Sequence, residues 1–94
     1  MQTGIGLTPE EFRLVREAAE LAVSRDGTGD TLPGTLAASA AAVSRGGALI
    51  LGSEDLRLLA RACRSAGEFA PSAQGRRYAT LARRLESAAA KAAD

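Results

Sequence analysis

A nine-residue stretch near the start of this chain is answered 44 positions later. Leu7-Thr8-Pro9-Glu10-Glu11-Phe12-Arg13-Leu14-Val15 and Leu51-Gly52-Ser53-Glu54-Asp55-Leu56-Arg57-Leu58-Leu59 set acidic, large apolar, basic and aliphatic residues in the same order. The echo continues at a spacing of 45, where Thr35-Leu36-Ala37-Ala38 matches Thr80-Leu81-Ala82-Arg83. A repeat spanning a helix start and a later helical run has a pair of helices as its unit. Two such hairpins make a four-helix bundle. The expected fold class is therefore all-α, a small four-helix bundle built as a duplicated helical hairpin. It forms one domain over 1–94, with a flexible N-terminus at 1–6, a first helical hairpin at 7–47 and a second at 48–94.

The first helix carries the clearest start. Thr8 is a cap, Pro9 stands at the first helical position where its missing N–H costs nothing, Glu11 completes a capping box, and Leu7 staples onto Phe12. Phe12, Val15, Ala19 and Ala22 form one stripe and Leu14, Ala18 and Leu21 its neighbour, so a wide face is buried. Arg13 with Glu17, and Arg16 with Glu20, pair on the outside at spacing four. Asp26-Gly27-Thr28-Gly29-Asp30 breaks this helix.

The second helix, about 33–45, has no charge from Thr35 to Ser44 and only Leu36 and Val43 as large groups after its start. A helix lacking a polar face is buried on most sides. It is expected to be central, and its outer side, through Leu36, Ala40, Ala41 and Val43, to meet a second copy of the chain. Ser39 and Ser44 are its wet side. Gly46-Gly47 ends it, and Ala48-Leu49-Ile50-Leu51 reads as an apolar connector packed under the bundle, because no second strand is evident to pair with it. The third helix, about 53–66, buries Leu56, Leu59, Cys63 and Ala66 and turns Arg57, Arg61 and Arg64 outward. Gly67 through Pro71 is a break. The fourth helix starts near Ser72 and repeats Tyr78, Leu81 and Leu85 at helical spacing.

Composition removes most chemistry. The chain has no histidine and one cysteine, so His/Cys zinc sites and Ser-His or Cys-His nucleophile pairs cannot be assembled within it. Cys63 falls on an apolar face and reads as a packed thiol suited to a reducing compartment. Glu10-Glu11 and Glu54-Asp55 sit in first helical turns, where negative charge meets the helix dipole favourably. The glycine pairs Gly4/Gly6, Gly27/Gly29 and Gly46/Gly47 follow no expected strand, so a phosphate-cradling loop is unsupported. No catalytic residues, metal or cofactor are expected, and the protein is not expected to be an enzyme. No run reaches the length of a membrane span and the start lacks the regions of a signal peptide, so a cytoplasmic location is expected.

Net charge is +1 but unevenly spread: residues 1–47 hold four Arg against six Asp/Glu, and residues 48–94 hold eight Lys/Arg against five. Between Arg57 and Arg84 there are seven arginines and one acid, Glu68. Arg57, Arg61, Arg76, Arg77, Arg83 and Arg84 are the candidate contacts to an acidic protein partner. These features favour a non-catalytic protein-interaction or assembly module that self-associates through the uncharged helix. The alternative is a small DNA-binding regulator using helices three and four, with Gln74, Arg76 and Arg77 opening a recognition helix. A connection as long as Gly67–Pro71 and the scarcity of aromatic residues count against it.

Overall fold

The chain turns into its first helix at Thr8, as its residues dictate. The Thr8 hydroxyl accepts from the Glu11 N–H at 3.1 Å while the Thr8 N–H donates to Glu11 Oε1 at 2.9 Å, a closed capping box with Pro9 just inside. In this computed structural model, which describes residues 2–27 and 29–93, the elements run β1 (Gln2–Ile5), α1 (Pro9–Asp26), α2 (Leu32–Ser44), β2 (Leu49–Gly52), α3 (Ser53–Phe69) and α4 (Ser72–Ala93). Met1, expected in the flexible lead, Thr28, expected in the break after α1, and Asp94 lie outside the described residues. The architecture is a small all-α bundle with one two-stranded ladder attached.

That ladder corrects two expectations. Residues 2–5, expected to be a flexible lead, form β1, and the connector expected to be a loop contains β2, its antiparallel partner in the register Gln2↔Gly52, Thr3↔Leu51, Gly4↔Ile50, Ile5↔Leu49. The apolar run Leu49-Ile50-Leu51 has a partner after all, lying more than forty residues upstream. Ile5, Leu49 and Leu51 point into the core, while Ile50 stands out of it. A lone two-stranded ribbon is marginal in water. Here α4 packs on β1 and both α2 and α3 pack on β2, and each buried Leu or Ile contributes roughly 1.5–3 kcal/mol.

α3 and α4 form the most extensive helix pair, and α1 lies chiefly against α3. The core is filled by Val15, Leu36, Val43, Leu49, Leu56, Leu59, Cys63, Leu81 and Leu85. The break expected from Gly67 to Pro71 is shorter: α3 continues through Phe69, and only Ala70 and Pro71 connect it to α4. Gly67 is a packing glycine, not a breaker. A Cβ there would stand 3.2 Å from the Tyr78 Cβ and 3.4 Å from the Gly75 carbonyl, so its absence lets the two helices approach closely. Ala70, in extended conformation before Pro71, makes the actual stop.

α2 corrects another expectation, since it is peripheral. It packs on α1 and β2 along one side, and Ala37, Ala38, Ala41 and Ala42 are exposed on the other. Its hydroxyls turn back on its own backbone: Thr35 donates to the Thr31 carbonyl at 3.1 Å, Ser39 to the Thr35 carbonyl at 3.2 Å and Ser44 to the Ala41 carbonyl at 2.9 Å. It ends in a Schellman motif. Gly46 is left-handed at φ +85°, its N–H donates to Val43 at 3.0 Å, and the Gly47 N–H donates to Ala42 at 2.8 Å.

Candidate functional site

The positions expected to carry a homomeric contact do not share an outer face. Leu36 and Val43 are 0% and 1% exposed, inside the chain's own core, while Ala40 is half-buried against it and Ala41 is exposed. Their spacing explains the outcome: residues 36 and 43 lie two turns apart on one stripe, and the stripe with the large side chains is the one a helix buries. What remains outward on α2 is alanine methyls. That offers little area for a stable interface.

The arginines of α3 and α4 divide into two sets. On α3, Arg57, Arg61 and Arg64 follow one another at helical spacing, all exposed, opposite the buried Leu56, Leu59 and Cys63. On α4, Arg76 and Arg83 are exposed and two turns apart, opposite the buried Leu85 and Ala89. These five are exposed on the two helices of the α3–α4 hairpin, and Arg76 also lines the cleft beside the start of α1. Arg64 is taken up there by Glu86, donating from Nη2 at 2.7 Å. Arg57, Arg61, Arg76 and Arg83 make no ion pair among the described residues.

Arg77 and Arg84 belong to a different side of α4, the one turned toward the start of α1. Arg77 donates to Glu10. Arg84 donates from Nη1 to Glu11 Oε2 at 2.7 Å and from Nη2 to the Gly6 carbonyl. Glu11 thus serves two partners, one oxygen closing the capping box and the other holding α4. Both carboxylates keep the place in the first turn of α1 that the dipole argument gives them. Around the Arg77–Glu10 pair lies a cleft of about 350 Å³ lined by Thr8, Glu10, Glu11, Leu14, Arg76, Arg77, Thr80 and Leu81. Its two acids and two arginines balance, so it has no net preference for either charge.

A second groove of about 350 Å³ runs between α1 and α2, with Phe12, Ala40 and Val43 as its floor and Arg13, Arg16, Glu17 and Glu20 on its rim. Cys63 is fully buried on α3, and burial pushes its thiol up to about 12. It holds its proton at any physiological pH, which removes the thiolate a nucleophile needs. Burial likewise raises the Tyr78 phenol, with smaller contributions from Glu17 and Cys63. Among the described residues no three His, Cys, Asp or Glu side chains gather as a metal site, and no helix is long and apolar enough to cross a membrane. The acidic pairs Glu10-Glu11 and Glu54-Asp55 therefore do not converge.

One surface went unseen in the sequence. Thr3, Gly4, Ile5 and Gly6 line a cleft of about 330 Å³ with Arg84, Ser87, Ala88 and Lys91 of α4. The signal for it was the Thr3-Gly4-Ile5 run, legible as a strand only once its pairing with β2 is known. Comparison with protein-family models, with curated proteins and with solved structures finds no match for this chain.

Proposed function

We propose that this protein is a non-catalytic interaction module whose working surface is the outward side of the α3–α4 hairpin, and that its partner is an acidic protein surface. The observation that carries the reading is the division among the arginines. Among the described residues Arg64, Arg77 and Arg84 each meet a carboxylate of the chain, whereas the exposed Arg57, Arg61, Arg76 and Arg83 make no ion pair. Unpaired guanidiniums on a helical surface recognise carboxylates through paired N–H donors and accelerate encounter with an acidic surface. Self-association through Leu36 and Val43 is not part of this reading, since both are buried within the chain.

The same arginines would also meet phosphates, and the connection between α3 and α4 favours the protein partner. A connection of only Ala70 and Pro71 between extensively packed helices suits an antiparallel αα-hairpin, not a recognition helix set across its neighbour. The test is fluorescence anisotropy of labelled polyglutamate and of labelled duplex DNA, each at low and moderate salt, with the wild type and with Arg61→Glu/Arg76→Glu. The expected result is polyglutamate binding that the double variant weakens at least tenfold while circular dichroism is unchanged. Tight DNA binding with a steep salt dependence and no polyglutamate binding would replace this reading with the nucleic-acid one.

A further inference from the structure

We propose that the free edge of β1, together with Arg84 and Lys91 of α4, is a binding site for an extended acidic peptide, which adds to the ladder as a third strand. Among the described residues β1 pairs with β2 along one edge only, so the backbone N–H and C=O groups of its other edge have no ladder partner there. Proteins usually guard such an edge with lysine, proline or a bulge. β1, Gln2-Thr3-Gly4-Ile5, contains no charge and no proline.

Beside β1 lies the cleft lined by Thr3 through Gly6 on one side and Arg84, Ser87, Ala88 and Lys91 on the other. Among the described residues the lining includes two cations and no carboxylate, which sets the sign of the occupant. Arg84 already donates to the Gly6 carbonyl, so the chain's own side chain satisfies a backbone acceptor just beyond β1 from the α4 side. The dimensions agree. Seven residues of helix separate Arg84 from Lys91 by about 10 Å, and Thr3 to Gly6 covers about 10 Å at an extended rise. A strand laid along the edge would form main-chain hydrogen bonds with β1 and turn alternate side chains toward the two cations, the general logic of strand addition. Lys91 has no ion pair among the described residues, while Arg84 shares its charge with Glu11. Lys91 is therefore the principal contact. This site is separate from the outward face of the α3–α4 hairpin and stands or falls independently of it.

The probe is a fluorescein-labelled peptide of about seven residues alternating valine and glutamate, titrated into the full chain and followed by anisotropy and by the backbone amide spectrum of the ¹⁵N-labelled protein. Two N-methylated isomers of the peptide, blocked on alternate residues of opposite parity, separate strand addition from charge attraction. The expected result is that amides of Gln2 to Gly6 shift and gain exchange protection. One N-methyl isomer binds like the parent and the other at least tenfold more weakly, and Lys91→Glu and Lys91→Gln each weaken binding while the amide spectrum keeps its dispersion. Isomers that bind alike, or affinity that survives Lys91→Glu but is lost in Arg61→Glu/Arg76→Glu, would overturn the proposal and assign the peptide to the outer arginines.

Discussion

Ile5 and Leu49 face each other across the two strands, and 44 residues separate them, the same interval that separates the two matching helix starts. In an antiparallel pair related by a local two-fold axis, the residue on the axis pairs with its own counterpart. The Ile5–Leu49 pair stands instead at the end of the ladder, and β2 runs directly into α3 while residues 6–8 separate β1 from α1, so the echo covers the helix starts and not the strands. The packing around the ladder is not symmetric: α4, from the second half, packs on β1, while β2 is packed by both α2 and α3. The halves are not equal, since α2 is shorter and more exposed than α4.

The double use of Glu11 predicts coupling. Thr8→Ala should cost about 1 kcal/mol through the lost cap, seen as a fall in melting temperature of about 4–8 °C. A double-mutant cycle on Glu11→Ala and Arg84→Ala should give a coupling of about 0.5–1 kcal/mol, kept small because both side chains remain roughly a third exposed. Urea unfolding of the four proteins measures it.

Cys63 predicts an alkaline limit. Its thiol titrates at about 12 in the folded chain against an ordinary 9.0. Below pH 9 neither state loses the proton and stability is complete. Above pH 9 the unfolded chain ionises while the folded chain does not, so stability falls by about 1.4 kcal/mol per pH unit until the folded value is reached. The raised Tyr78 phenol adds to the fall above pH 10. Cys63→Ala should flatten the profile between pH 9 and 10, and in the wild type a thiol reagent at pH 8 should react only as fast as the chain opens.

The end of α2 predicts two glycine effects with different causes. Gly46→Ala places a side chain at φ +85° and should cost about 1 kcal/mol. Gly47→Ala needs no unusual φ, but its Cβ would stand 2.8 Å from the Ala42 carbonyl oxygen, so the backbone must shift and the Gly47–Ala42 hydrogen bond with it. The second variant should lose more than the first. Thermal melts of both, with amide exchange at Leu49 to Gly52, report whether the ladder loosens as well.

Ala41→Glu tests the outer side of α2. The position is exposed and its neighbours there are alanines, so the substitution should change stability by no more than about 0.5 kcal/mol and leave the elution volume and scattering mass unaltered. Leu36→Ala, in contrast, opens the core and should cost about 2–5 kcal/mol.

The helices were legible because capping chemistry and apolar spacing are local. Thr8, Pro9 and Glu11 fix the start of α1 within one turn, and Tyr78, Leu81 and Leu85 fix the inward side of α4. The ladder was not legible, since four residues are too few for a periodic signal and the partner of Leu49-Ile50-Leu51 is a glycine-containing segment at the other end of the first half. Leu36 and Val43 lie inside the chain's own core and not on an outer face, because a lack of charge on α2 does not imply burial of the whole helix. Alanine is neutral enough to stay in water, and only the two large side chains needed cover. The arginines were found as a group, but their division was not, because Glu10 and Glu11 lie more than sixty residues from Arg77 and Arg84 and only the packing of α4 beside α1 brings them together.

The pairing of β1 with β2 also orders events in time. Ribosomes add about 5–20 residues per second, so β1 emerges roughly 2–9 s before Leu49 exists to meet Ile5. During that interval α1 and α2 can form locally, while β1 has neither neighbour nor cover. The strand made first is thus completed by the second half, and a chain interrupted between α2 and β2 leaves Ile5 without the strand and helix that cover it.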